Sequence, residues 1–231
     1  MGVHLAEALR ETIRVQDGRI PLLDRHLARL AAGGCDRETL EAARRSAERA
    51  ARAWAESYGR MALVVSTGGE ASAEVSARPS VIDVPGGPRV ALVLAPEPQL
   101  PPGAAKPADR SQWDRVFERV TGAADVAILV SETGLLMDTT HATLWIRTGA
   151  RLLTPPSPPA LAGVSRGVVL DRAAALGYEA AETPLLPAHL DSADEVILTT
   201  AVAGARAVRG RGGPAADALT AEFARLFAGG A

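Results

Sequence analysis

A single cysteine, Cys35, cannot close a disulfide within the chain, so no covalent framework is expected to hold the fold. Long hydrophobic runs are missing as well. Arg, Asp, Gly or Pro breaks every apolar segment before it reaches the roughly 20 residues a membrane-spanning helix needs. The opening Met1-Gly2-Val3-His4-Leu5 carries neither a basic stretch nor a long apolar run, so a soluble, cytoplasmic protein is expected. Charge of one sign is also lacking. With 27 acidic and 25 basic residues the net charge is −2, which gives no electrostatic reason to expect nucleic acid or an anionic membrane as partner. A small neutral or acidic metabolite fits better.

Lysine is the scarcest of the charged residues: 24 of the 25 basic residues are arginine and one is lysine, Lys106. On a surface either cation serves as a solvated charge. A guanidinium cannot condense with an aldehyde to an imine, whereas a primary amine can, and burial lowers an amine's pKa towards reactivity. Lys106 is therefore either an unconverted surface residue or an amine kept for its chemistry.

The 231 residues suffice for one large domain or two small ones with a proper core. Glu11 to Val15 reads as a strand, Asp17-Gly18 as a hairpin turn and Ile20 to Leu23 as the returning strand, after which Asp24 can cap a helix running from Arg25 to Ala32. Gly33-Gly34 ends that helix and a second runs from about Asp36 to Ala55. Arg60 to Ser66, the alternating run Glu70 to Arg78, and Arg89 to Leu94 read as an antiparallel set of strands. Between Pro96 and Pro107 the chain is Pro-rich and without apolar period, like an interdomain connection.

Beyond it, a helix is expected over Ser111 to Val120, and strands over Val126 to Val130, Leu135 to Met137, Leu144 to Arg147 and Arg151 to Thr154. A loop, a helix from Ser165 to Leu176, extended Glu179 to Thr183, a strand Glu195 to Thr200 and a closing helix Ala215 to Phe227 complete the pattern. Helices and strands are grouped rather than alternating, which favours two α+β lobes with mainly antiparallel strands. The expected lobes are residues 1–95 and 107–231, joined by the connection 96–106.

Five local patterns occur in order: Glu11-Thr12, Asp24-Arg-His-Leu-Ala-Arg-Leu30, Lys106, Gly163-Val-Ser-Arg166, and Ala193-Asp-Glu-Val196 followed by Ile197-Leu-Thr-Thr200. Together they resemble the class IV aminotransferases, the fold-type IV pyridoxal phosphate enzymes, which include branched-chain and D-amino acid aminotransferases and aminodeoxychorismate lyase. The resemblance covers nearly the whole chain from Glu11. It implies a two-lobed fold with active sites at the lobe interface, a homodimer, pyridoxal 5'-phosphate as cofactor, no metal, and an amino-acid-like substrate.

Residue by residue, the resemblance places the Schiff-base lysine at Lys106, just before Asp109-Arg110, and the phosphate-binding arginine of the His-x-x-Arg-Leu helix at Arg29. A guanidinium fork suits phosphate oxygens. Gly163-Val164-Ser165 matches the family's phosphate-binding turn at a helix start, where Val164 and Ser165 offer amides and a hydroxyl. Thr199 and Thr200 match the strand end near the phosphate, with Ala201 and Val202 beside the substrate carboxylate.

Three positions depart from the family pattern. Ala201 stands where branched-chain aminotransferases often have threonine. Asp138 stands where a glutamate usually pairs with the pyridine nitrogen, with His141 a possible neighbour and Thr143 in place of a common asparagine. Ala6-Glu7-Ala8 stands where a Gly-Asp-Gly type turn is usual, so the small lobe is expected to lack its opening strand. The resemblance implies aminotransferase activity in which Lys106 moves a proton at the substrate Cα. It leaves open aminodeoxychorismate lyase activity on the same scaffold, and a degenerate, non-catalytic relative.

Overall fold

The computed structural model describes residues 8–66 and 68–230, so the turn position at Ala6-Glu7 lies outside the described residues. The chain divides into two compact units. The first gathers residues 1–79, 99–110 and 225–231, and the second gathers 80–98 and 111–224.

The first unit is built on strand β1 (Ala8–Gln16), which pairs antiparallel over nine residues with β2 (Tyr58–Ser66); β2 in turn pairs with β3 (Ala71–Ser76). Alternation sends Leu9, Glu11, Ile13 and Val15 inward and Arg10, Thr12, Arg14 and Gln16 to the other face. Two helices belong to this sheet, α1 (Leu23–Ala32) and α2 (Arg37–Ala53). On α1, Leu23, His26, Leu27 and Leu30 share one buried face at helical spacing. On α2 the buried face is small, Ala43, Ser46, Ala47 and Ala51, while its arginines and glutamates form i,i+4 pairs outside.

Three expectations are corrected in this part of the chain. The partner of β1 is β2, not Ile20 to Leu23. The turn at Asp17-Gly18 returns only the single bridge Gln16–Arg19 before Pro21, which has no N–H for a ladder, and α1 begins at Leu23. Asp24 is no cap: it lies inside the first turn of α1 and accepts instead from Arg44 at 2.6 Å. The Arg89 to Leu94 strand does not join this sheet, and pairs elsewhere. Asp36, by contrast, caps α2, accepting from the Thr39 amide at 2.8 Å.

The β1 edge left open by β2 is covered from far along the chain. Arg10 N donates to Lys106 O at 2.9 Å and Ala108 N donates to Ala8 O at 2.9 Å, with Leu9 bridged to Pro107. Residues 106–108 thus act as a short added strand.

The second unit holds two sheets. One is the central β5 (Val126–Val130), parallel to β4 (Val90–Leu94) and antiparallel to β6 (Leu136–Thr139). The other runs β11 (Gly204–Ala207), β10 (Glu195–Thr200), β7 (Thr143–Thr148), β8 (Arg151–Thr154), β9 (Glu179–Glu182). Its pairs are antiparallel except β8 with β9, which α4 (Val164–Arg172) joins as a crossover. Helix α3 (Ser111–Glu118) precedes β5, and α6 (Pro214–Phe227) ends the described fold. Two short elements were not foreseen: α5 (Pro187–Ser192) and β11. The core gathers Ile82, Val126, Ile128, Leu136, Leu144, Ile146 and Leu198. No helix among the described residues is long and apolar enough to cross a membrane.

The Ala193-Asp-Glu-Val196 motif has a structural task here. Glu195 is buried, pairs with Arg147, and accepts from Ala215 N at 3.1 Å and Ala216 N at 2.9 Å, capping α6. Asp194 accepts from Gly149 N at 2.8 Å and ties down the β7–β8 turn.

Candidate active site

In the first unit the site begins with a carboxylate on an inward strand position. Glu11 is 1 % exposed, and a charge so placed demands partners. His26 and Arg29, three residues apart on α1, provide them. His26 Nδ1 lies 2.5 Å from Oε2, Arg29 Nε donates to Oε1 at 2.8 Å, and Arg29 Nη2 donates to Oε2 at 2.5 Å. Burial alone would raise the Glu11 pKa. The Arg29 and His26 charges and hydrogen bonds outweigh it and bring the carboxyl down to about 2. Burial pushes His26 the other way, below the usual imidazole value, against the pull of Glu11, and its buried Nε2 has no hydrogen-bond partner.

Lys106 is placed by the edge pairing of residues 106–108 with β1, and its Nζ donates to Thr12 Oγ1 at 3.1 Å. Burial, then the Arg110 and Arg29 charges, hold its amine well below the ordinary lysine value; Glu11 opposes this and Arg10 adds to it. The lone lysine is thus a half-buried amine among guanidiniums rather than a solvated surface charge.

In the second unit Asp138 lies within β6, not in a turn, and is buried. Its Oδ1 accepts from Leu144 N at 2.9 Å, and its Oδ2 lies 3.4 Å from Arg166 Nη2. Burial raises its pKa to about 6, with Arg166 and the Leu144 and Thr139 amides pulling the other way. Arg166, 2 % exposed, also donates to Pro155 O at 2.5 Å and to Glu182 at 2.8 Å, so it is shared between two carboxylates. His141 does not bond to Asp138: its Nδ1 lies 2.9 Å from Thr140 Oγ1 and its ring packs edge-on against Phe117.

Helix α4 starts at Val164, with Gly163 as its extended N-cap, so the amides of Val164 and Ser165 lie in the first turn, where no intrahelical acceptor exists. Ser165 is brought to the end of β10 by a side-chain relay: Trp145 Nε1 donates to Thr199 Oγ1 at 3.2 Å, and that hydroxyl donates to Ser165 Oγ at 3.2 Å. Thr200 Oγ1 accepts from Ala203 N at 2.9 Å, which shapes the turn carrying Ala201 and Val202 between β10 and β11. An added Cβ on Gly163 would sit 2.8 Å from Thr143 Oγ1, so glycine is required there by close approach. Among the described residues no group of three or more His, Cys, Asp or Glu could hold a metal ion.

The sequence profile of the amino-transferase class IV family matches residues 8–210. The chain belongs to the class IV aminotransferase family.

Solved structures share the fold. A hypothetical aminotransferase from Mycobacterium tuberculosis in a PLP-bound form aligns at 23% identity and TM-score 0.79, covering 96% of this chain and 89% of that one. A branched-chain amino acid aminotransferase from Escherichia coli aligns at 19% identity and TM-score 0.78, covering 98% and 87%. A 4-amino-4-deoxychorismate lyase from Pseudomonas aeruginosa aligns at 22% identity and TM-score 0.76, covering 94% and 89%. A comparison with curated proteins gave no significant match. The α+β, fold-type IV architecture expected from the motifs is the one found, and the class IV family is a family of enzymes.

Sequence reading did not assign roles to Glu11, Thr12 or His26, nor foresee that Arg166 is shared. One signal was available: period-two alternation puts Glu11 on the inward face with Leu9, Ile13 and Val15, where an unpaired carboxylate is untenable.

Proposed function

We propose that this class IV enzyme uses pyridoxal 5'-phosphate to transfer the amino group of an amino acid, with Lys106 as the amine that binds the cofactor aldehyde. The observation that carries this reading is the state of Lys106, a half-buried amine with lowered pKa, hydrogen-bonded to Thr12 and surrounded by guanidiniums. The residues present fit the cofactor. Arg29, together with the first-turn amides and hydroxyl at Val164 and Ser165 and the hydroxyls of Thr199 and Thr200, would hold its phosphate. Asp138, a buried carboxyl with a raised pKa, would gain a cationic partner in the ring nitrogen.

When bound, the cofactor supplies an electron sink for the negative charge that develops at the substrate Cα. Lys106 Nζ takes the proton from that carbon and returns it, and the Thr12 hydroxyl keeps Nζ oriented between the two events. Glu11, itself held by His26, fixes the Arg29 guanidinium by its Nε and Nη2 edge. The Ala201-Val202 turn, shaped by Thr200, would receive the substrate carboxylate. The homodimer belongs to the same reading and is open to sedimentation analysis.

Borohydride treatment of the reconstituted protein is expected to fix the cofactor covalently on Lys106, identified by peptide mass. A Lys106→Ala variant that still yields a reducible adduct would overturn the reading. The fold is shared with 4-amino-4-deoxychorismate lyases, so lyase activity is the second reading. Turnover of an amino-acid panel dependent on a keto acid supports transfer. Pyruvate release from aminodeoxychorismate without a keto acid supports the lyase.

A further inference from the structure

In the second unit, one face of the β7–β10 pair is polar where it meets α4. Alternation sends Leu144, Ile146, Val196 and Leu198 into the core and leaves Thr143, Trp145, Ile197 and Thr199 on the opposite face. Thr199 stands opposite Thr143, so Trp145, two residues further along β7, lies on its diagonal, within reach of a long aromatic side chain. Trp145 and Thr199 have no exposed surface, and Ser165 in the first turn of α4 has 4 %. An indole nitrogen and two hydroxyls therefore bond to one another away from water, at 3.2 Å for each step.

The hydrogens of this chain can be ordered in one direction only. An indole N–H donates and cannot accept, while each hydroxyl carries one hydrogen and two lone pairs. Thr199 Oγ1 therefore accepts from Trp145, and among the described residues its own hydrogen has Ser165 Oγ as its acceptor. Were Ser165 to donate to Thr199 instead, the Thr199 hydrogen would be left in a fully buried place with nothing to meet. The order Trp145, Thr199, Ser165 avoids that cost. The Ser165 hydrogen then ends the chain, and among the described residues it meets no acceptor. It belongs to the first turn of α4, where the Val164 and Ser165 amides also lack intrahelical acceptors. Bonds in series polarise one another, so the donor at the far end strengthens the last O–H.

We propose that Trp145 and Thr199 are positioning residues for phosphate binding: they hold Ser165 as a hydrogen-bond donor and keep its hydrogen free for the anion before the ligand arrives. This rests on the reading of Val164 and Ser165 as part of the cofactor's phosphate cradle, and is independent of Lys106. Thr199 thereby serves the phosphate through Ser165, since its own hydrogen is engaged there and the indole occupies a lone pair. A hydroxyl already set as donor needs no reorientation when the anion binds, which is its gain over a serine free to turn.

The test uses the full chain freed of cofactor and two ligands that differ by the phosphate alone, pyridoxamine 5'-phosphate and pyridoxamine, measured by calorimetry. Neither carries an aldehyde, so no bond to Lys106 enters. Ser165→Ala is expected to lower the preference for the phosphorylated ligand about tenfold, the range of a charge-assisted hydrogen bond. Trp145→Phe combined with Thr199→Val removes the chain without stranding the indole N–H. It is expected to lower the preference about threefold or more and to leave pyridoxamine binding unchanged. Added to Ser165→Ala, the same pair is expected to change nothing further. Thr199→Ser, which keeps the hydroxyl, is expected to retain the wild-type preference. Should the double variant not fold, Thr199→Val alone carries the same expectation. Equal losses for both ligands, a full further loss in the Ser165→Ala background, or a Thr199→Ser protein as impaired as the double variant would overturn the proposal. An unchanged preference in Ser165→Ala would overturn the phosphate reading and the proposal together. A fall in Ser165→Ala with none in the double variant refutes the positioning role alone.

Discussion

Glu11 grips Arg29 along one edge of its guanidinium, with Nε at 2.8 Å and Nη2 at 2.5 Å, while the same carboxylate meets His26 Nδ1. The edge so held cannot also meet a phosphate, and Glu11 sets the direction of the whole guanidinium. A strand residue and a helix residue are locked together by a charge with no access to water.

Glu11→Gln is expected to cost about 3 kcal/mol of stability, because it leaves a buried guanidinium short of its counter-charge. Urea unfolding measures this. In the same variant the affinity for pyridoxal 5'-phosphate should fall by about tenfold, while that for pyridoxal, which lacks the phosphate, changes little. Equal loss of both would show that Glu11 supports only the fold.

The depressed Glu11 pKa also predicts the course of acid unfolding. A carboxyl whose folded pKa is lowered to about 2 contributes stability that is present above the ordinary glutamate value and is lost as pH falls through that value towards 2. Wild type should therefore lose stability in that window, and Glu11→Gln should lose about 3 kcal/mol less over the same interval.

Lys106 can be titrated cleanly because the chain has no other lysine. Arg10 is one of the cations that lower its pKa, so Arg10→Met should move the midpoint of amine modification to higher pH and slow modification at neutral pH. Trinitrobenzenesulfonate labelling of Lys106, followed by peptide mass across a pH series, measures it. An unchanged midpoint would remove Arg10 from the environment of the amine.

Asp138 predicts the opposite pH behaviour from Glu11. Its folded pKa is raised to about 6, so its contribution is fully present below the ordinary aspartate value and is lost as pH rises through 6. Without cofactor, Asp138→Asn should be more stable than wild type by about 1–2 kcal/mol at pH 7.5 and no more stable at pH 4, while transfer activity falls steeply. Thermal melts at the two pH values decide the first part.

Gly163→Ala forces a methyl to 2.8 Å from Thr143 Oγ1, with no backbone strain to confuse the result, since φ is −63°. A loss of about 1–3 kcal/mol and weaker cofactor binding are expected. Thr143→Ala in the same chain should restore most of both, because it removes the atom that clashes; absence of rescue would place the defect elsewhere.

Strand and helix periodicity made most elements of this fold legible, since β1, β2, β5, β7, β10 and the helices α1, α2, α4 and α6 bury the faces their patterns announce. Pairing was less legible. A turn at Asp17-Gly18 reads as a hairpin, yet nine residues of β2, forty positions on, offer a longer ladder than a segment interrupted by Pro21. The parallel pairing of β4 with β5 left no local trace, because parallel partners meet through a crossover rather than a turn.

At the site, motifs pointed to Lys106, Arg29 and Ser165, but hydrogen-bond partners depend on register. That Thr12 meets Lys106 across 94 positions, or that Thr199 reaches Ser165, follows only once the strands are paired. The Ala193-Asp-Glu-Val196 motif carried a different lesson. Its carboxylates pin a helix end and a turn, and so it marks the family through architecture rather than chemistry.

The first unit is assembled from three separated stretches, residues 1–79, 99–110 and 225–231. During synthesis the strand that covers the β1 edge follows some forty residues after β2, and the last of the three stretches follows more than a hundred residues later still. An uncovered strand edge is a template for pairing with other chains. The nascent polypeptide therefore passes through an interval in which the edge that will hold Lys106 is open to the wrong partner, and the lysine's arrival is itself what ends that exposure.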